Sequence, residues 1–225
     1  MQIQWYPGHM AKARRMLEEN LKLIDVVVEL VDARAPLATR NPDFDALFSQ
    51  KSRVILLNKS DLASAEQTKK WIEYYKAQNI NAIAFVSTSS AKRKAAVSLI
   101  EAAAADKVAK MKEKGVIKTV RAMVVGIPNV GKSTFINRIA GETKAKVGDK
   151  PGVTKGKQWV KVSPYLELMD TPGLLWPKLE NEALAKHLAY IGSINDDIMD
   201  AERLAADLLG ELIAICPNEL KERYK

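Results

Sequence analysis

Residues 120–140 read VRAMVVGIPNVGKSTFINRIA. An apolar β-branched run, Val120–Val125, leads into Gly126-Ile127-Pro128-Asn129-Val130-Gly131-Lys132-Ser133, and a helical pattern, Lys132–Ala140, follows. This is GxxxxGK[ST] in the strand–turn–helix context that a phosphate loop requires. Its glycines let the main chain wrap phosphates with N–H groups, and the helix N-terminus adds the positive end of a dipole. Asn129, Val130, Gly131, Lys132, Ser133 and Thr134 are expected to meet the nucleotide. Lys132 would reach the β- and γ-phosphates, and Ser133 would ligate Mg2+. The bland alternative is a glycine-rich turn with no ligand.

About forty residues downstream, Asp170-Thr171-Pro172-Gly173 closes the apolar run Tyr165–Met169. An Asp at that place in a phosphate-loop protein holds the metal, here through water, and the Gly173 N–H is placed to meet a γ-phosphate. Alone, the same tetrapeptide is a plain turn. Between the two motifs, residues 148–156 read GDKPGVTKG. Thr154 is the hydroxyl suited to complete the metal shell when a γ-phosphate is present. Loops of this kind order around that group and relax on hydrolysis; otherwise this is a surface loop with an incidental Thr.

Upstream, Asn58-Lys59-Ser60-Asp61 follows the apolar run Arg53–Leu57. An ionised carboxylate only accepts hydrogen bonds. Asp61 therefore suits the N1–H and exocyclic amine of guanine and argues against adenine. Lys59 would pack its stem along the base, and Asn58 would tie the loop down. As a lone tetrapeptide, NKSD reads equally as Asp61 capping a helix that begins at Ala63. Ser87, opening the cluster Ser87–Ala91, is placed to offer a backbone N–H to the base oxygen.

Apolar runs and helical stretches alternate along the chain, which is the pattern of an α/β fold with a mostly parallel sheet. Strands are expected at Asp25–Val31, Arg53–Leu57, Ala82–Val86, Val120–Val125, Gln158–Val162 and Tyr165–Met169, the last two as a hairpin. Helices are expected at Met10–Leu23, Ala63–Gln78, Lys92–Lys110 and Lys132–Ala140. The stretch Lys107–Lys118 reads as a helix end and solvated linker. From Asn181 onward Ala, Leu and Glu dominate, giving two or three helices. The expected division is an N-terminal segment (1–24), a nucleotide domain (25–177) and a small C-terminal helical region (178–225).

Composition narrows the class. With 225 residues, 47% of them hydrophobic and 28% charged, the chain can bury a sizeable core. Apolar runs break at charges well before 18 residues, so no membrane span is expected. The N-terminus has neither signal-peptide nor transit-peptide character. One cysteine, Cys216, leaves no internal disulfide, and a reducing cytoplasm fits. A net charge of +8 raises the expectation of a polyanionic partner, nucleic acid first.

The order of the motifs is unusual: the base-reading NKSD comes first, the phosphate loop second, the switch elements last. In ordinary GTPases the phosphate loop leads. With Trp5–Ala13 (WYPGHMAKA), Val31-Asp32-Ala33-Arg34, Pro151–Thr154 and Leu174-Leu175-Trp176-Pro177, the chain resembles the circularly permuted GTPases of the ribosome-assembly family. The match runs from Trp5 to about Pro177. The resemblance implies GTP hydrolysis to GDP with Mg2+, stimulated by a large-ribosomal-subunit precursor, and contact with its rRNA. The region after Asn181 is expected to be a shortened form of the family's C-terminal helical RNA-binding region.

Leu174 stands where many GTPases place a water-orienting Gln. His9, blandly a surface histidine near a helix start, aligns with the family histidine implicated in catalysis. The other histidine, His187, reads as structural. The Asn129 carbonyl would coordinate K+, as in potassium-activated relatives, or else Asn129 only hydrogen-bonds the loop. Three rival readings are a nucleotide-gated RNA-binding module with incidental hydrolysis, an ATP-dependent enzyme, against which Asp61 argues, and a GTPase of tRNA modification or metal transport, for which the sequence offers neither a chemistry domain nor a membrane span.

Overall fold

The computed structural model describes residues 3–4, 8–141, 158–176, 178–179, 181–194 and 200–224. The elements run β1 (Ile3–Gln4), α1 (Gly8–Asn20), β2 (Val26–Asp32), α2 (Pro36–Thr39), α3 (Asp43–Leu47), β3 (Ser52–Asn58), α4 (Ala65–Ala77), β4 (Asn81–Ala84), α5 (Arg93–Ala103), α6 (Ala105–Glu113) and β5 (Val120–Val125). Then follow α7 (Lys132–Ala140), β6 (Gln158–Ser163), β7 (Leu166–Asp170), β8 (Lys178–Leu179), α8 (Glu182–Tyr190), α9 (Ala201–Ile215) and α10 (Pro217–Arg223).

Six strands form one sheet in the order β4-β3-β2-β5-β7-β6. All neighbours are parallel except the β6–β7 hairpin. The chain starts in the middle at β2, winds outward to β4, returns to the middle at β5, and winds the other way. Winding therefore reverses between β2 and β5, and that topological switch point is where open α/β sheets bind ligands, beyond the carboxyl ends of the strands. Val26–Asp32 is buried at every position, as a strand covered on both faces must be.

One apolar cluster joins the sheet to α1 through Met10, Ala13 and Leu17, and to α8 through Ala185 and Leu188. Among the described residues, β1 pairs antiparallel with β8, Ile3 opposite Leu179. The hairpin and the C-terminal helices match the sequence reading. The single helix Lys92–Lys110 does not: it breaks at Ala104, where α5 ends and α6 begins. The expected strand Ala82–Val86 shifts to Asn81–Ala84, because Ser60 N–H and the Ser60 hydroxyl take the Phe85 carbonyl out of the ladder.

The stretch Lys107–Lys118 is not simply solvated. Asp25, buried at the start of β2, accepts from Lys107 Nζ (2.5 Å), Lys118 Nζ (2.8 Å) and Arg121 N–H (3.0 Å). Burial pushes the Asp25 carboxyl up, but these donors outweigh it and hold it below the usual carboxylate range. A depressed carboxyl stabilises fully above its unfolded value, and that contribution is lost as pH falls through the lowered one. Asp25→Asn should therefore cost about 1–3 kcal/mol at pH 7. The gap in urea-unfolding free energy should close as pH drops below the usual carboxylate range. Equal stability at pH 7 would contradict this.

Candidate nucleotide site

The carboxyl ends of β2, β3, β4, β5 and β7 converge on one edge of the sheet. The registers Asp32↔Asn58 and Val124↔Asp170 place the sequence motifs there side by side. The phosphate loop leaves β5 at Gly126, whose φ is +150° and whose added Cβ would lie 2.6 Å from the Leu30 carbonyl. Only glycine fits there. Gly131, φ +99°, caps α7, and a Cβ there would strike the Asn58 carboxamide.

Asn58 is the knot of the site. Its Nδ2 donates to the Val130 carbonyl (2.8 Å), while its Oδ1 accepts from Ser87 N–H (3.0 Å) and Ser87 Oγ (2.8 Å). The Ser87 N–H is thus committed to Asn58 and is not offered to a base. Arg138 of α7 fixes the same loop from below, donating to the carbonyls of Ser87 and Thr88. Lys59, in the left-handed region at φ 57°, donates Nζ to the Asn129 carbonyl (3.0 Å) and pairs with buried Asp32 (3.0 Å). Asp32 also takes a bidentate pair from Arg34. Asp61 lies exposed in a short 3₁₀ turn. It does not cap α4: Ser64 does, accepting from Gln67 N–H. That removes the bland reading of NKSD.

Lys132 is 7% exposed, and its Nζ donates to the carbonyls of Ile127 (2.8 Å) and Gly126 (3.2 Å). Burial pushes its ammonium down to about 8. Its hydrogen-bond partners are neutral carbonyls, and the Asp170 charge nearby favours the ammonium; an incoming anion would stabilise it further. Ser133 Oγ donates to Asp170 Oδ2 (2.9 Å). Burial raises the Asp170 carboxyl despite that bond, and Oδ1 is buried with no hydrogen-bond partner among the described residues. Thr134 is half-buried on the first turn of α7. Thr154 lies outside the described residues, as does the side chain of His9, whose backbone sits in the first turn of α1.

The switch segment packs directly on the phosphate loop. A Cβ on Gly173 would lie 2.6 Å from Pro128 N. Leu174 N–H donates to the Gly126 carbonyl (3.2 Å), and the Leu174 side chain is buried. Asn41, absent from the sequence reading, donates Nδ2 to the Leu174 carbonyl (3.0 Å). Its only signal is the turn-forming Asn41-Pro42. Asn129 Nδ2 donates to the Gly192 carbonyl (2.7 Å), so the phosphate loop touches the turn after α8. His187 Nε2 meets Glu211 Oε2 (2.9 Å), tying α8 to α9, which is a structural role.

The family model described as a 50S ribosome-binding GTPase matches residues 121–213. That match starts at β5, and NKSD lies upstream of it. Ribosome biogenesis GTPase A of Priestia megaterium is 50% identical over all of this chain and 78% of its own length. The Thermotoga maritima protein of the same name is 38% identical over 90% and 70%. The crystal structure of GNP-bound YlqF from T. maritima superimposes with a TM-score of 0.64 at 32% identity, over 90% of this chain and 75% of that one.

The chain belongs to the ribosome biogenesis GTPase A family.

It is a GTPase by that membership, with the permuted motif order that the sheet topology displays. Asn58 carries the join between the two halves of the family's site. Its removal would leave the Val130 carbonyl and Ser87 without their buried partner. Asn58→Ala should lower the unfolding free energy of the nucleotide-free protein by about 1–3 kcal/mol. Denaturant titration at neutral pH measures this, and an unchanged midpoint would remove Asn58 from that role.

Proposed function

We propose that the chain binds GTP and GDP with Mg2+ and hydrolyses GTP as a nucleotide-dependent switch on precursors of the large ribosomal subunit in the cytoplasm. The bonding of NKSD to the phosphate loop carries this reading. Asn58–Val130 and Lys59–Asn129 join segments 72 and 70 residues apart, so a guanine reader and a phosphate cradle share one edge. In this reading Asp61 accepts from the guanine edge and Lys59 lies along the base. The N–H groups of Asn129, Val130 and Gly131 cradle the phosphates, and Thr134 adds to them at the helix start. Lys132 exchanges its loop carbonyls for phosphate oxygens, and Gly173 N–H reads the γ-phosphate.

Ser133 and Asp170 fit Mg2+: both offer hard oxygens, and the buried Asp170 carboxyl, raised by burial although Ser133, Lys132 and the Thr171 N–H act on it, would gain from a bound cation. Thr154 would be the third ligand when GTP is bound. When present, the ion neutralises charge on the β- and γ-phosphates. K+ is proposed beside it. The Gly192 carbonyl holds Asn129 Nδ2, which fixes the plane of the amide whose carbonyl oxygen would meet the ion. The +8 charge supports rRNA as a partner. Among the described residues no helix is long and apolar enough to cross a membrane.

Leu174 is buried and apolar, so it orients no water. We assign that role to His9. β1, four residues before α1, is paired to β8, which follows the switch segment, so the chain leading into His9 is tethered to the switch. His9→Ala should leave GTP affinity unchanged, because binding rests on Lys132, Ser133 and Asp61. It should slow hydrolysis with large-subunit precursors by about 10²–10⁴-fold. Single-turnover kinetics at saturating GTP measure this. A wild-type rate in the variant would shift the catalytic role to Asn129-bound K+ or to the particle. A wild-type protein that neither binds the particles nor is stimulated by them would overturn the ribosomal reading.

A further inference from the structure

The nucleotide site occupies the carboxyl edge of the sheet, and four of the eleven exposed large apolar side chains among the described residues lie together at the opposite edge. There the strands β2, β5 and β7 begin, and the turn after α6 carries Val116 (45% exposed) and Ile117 (84% exposed). Leu23 and Tyr165, exposed by 42% and 58%, flank the turn. A groove of about 710 Å³ lies on one side, lined by Ala105, Val108 and Ala109 of α6, by Val116 and Ile117, and by Tyr165. A second cleft of about 410 Å³ shares Val116 and Ile117 and reaches Leu23. An isolated exposed apolar side chain needs no explanation, but a contiguous patch around a concavity marks an interaction surface.

The rim identifies the occupant. Lys22, Lys107, Lys112, Lys118 and Arg121 line the two concavities, against Glu101 and Asp25. Asp25 pairs with Lys107 and Lys118, and Arg121 pairs with Glu167, so the rim's excess positive charge is carried by Lys22 and Lys112. The surface thus combines an aliphatic floor with a cationic rim. Bases of single-stranded RNA stack on aromatic planes, and this floor is aliphatic with one tyrosine at its edge. The complement is a peptide segment whose apolar side chains enter the grooves and whose carboxylates meet the lysines.

We propose that this pole docks a protein segment bearing apolar residues flanked by Asp or Glu, presented by a protein component of the pre-ribosomal particle. The proposal rests on the ribosomal reading above. It separates two jobs: one edge of the sheet handles nucleotide, and the other holds a protein landmark.

The test uses the full chain, purified large-subunit precursors, and protein-free rRNA extracted from them. Ile117→Asp leaves the core intact, because the side chain is exposed, and GTP affinity serves as the folding control. The variant should bind particles at least about tenfold more weakly, as expected for losing a central apolar anchor. Its binding to protein-free rRNA should match wild type. Lys112→Glu should weaken particle binding in the same sense. Wild-type particle binding by both variants would overturn the proposal. An equal loss on particles and on bare rRNA would make the surface an RNA contact and also overturn it. If the wild-type chain itself does not bind particles, the ribosomal reading fails first and takes this inference with it.

Discussion

The carboxamide of Asn58 lies between two loops that the chain visits far apart. Buried beneath both, it donates its N–H to the phosphate loop, and its oxygen accepts from the Ser87 N–H and hydroxyl. Each of those loops is a run of polar main chain at the end of a strand, and neither could be buried alone without orphaned groups. A single side chain with one donor end and one acceptor end satisfies both. It also fixes the distance between NKSD and the phosphate loop. Gly131 must be glycine because Asn58 sits where its Cβ would be. Lys59 repeats the link by reaching the Asn129 carbonyl and resting on buried Asp32. The site is thus built from cross-loop bonds that do not depend on the order in which the loops are made.

That independence explains how a permuted chain keeps the geometry. The topological reversal between β2 and β5 survives whether the chain enters at one or the other. What permutation changes is the attachment. The switch segment 171–176 now leads into β8 and α8, and α8 packs into the same apolar cluster as the sheet. Two further bonds join the two loops to their surroundings: Leu174 N–H on the Gly126 carbonyl, and Asn129 Nδ2 on the Gly192 carbonyl at the end of α8. These contacts join the phosphate loop and the 171–176 segment to the helical region with no intervening scaffold.

Local chemistry was legible in the sequence, and nonlocal pairing was not. The strand–loop–helix at 120–140 announces itself because backbone constraints and phosphate chemistry demand those residues at that spacing. The break at Ala104 has no local signal, since alanine favours helix, and nothing in the structure explains it. Lys107 and Lys118 look solvated because nothing local reveals Asp25 across the fold. Ser87 was read as a donor to the base, but Asn58 claims its N–H from a different strand. Asn41 is not legible as a site residue because its partner, the Leu174 carbonyl, lies 133 residues away. For these last three the deciding partner is distant in sequence, so no window of residues contains the information.

The central claim is that two segments in inverted order compose one guanine-nucleotide site. Titration calorimetry of the full chain with Mg2+, comparing GTP and GDP with ATP, tests it most directly. The account predicts one site per chain for each guanine nucleotide and at least about a hundredfold weaker binding of ATP, because Asp61 has no donor pair to accept from on adenine. Equal affinity for ATP and GTP would mean that NKSD does not read the base, and would contradict the account.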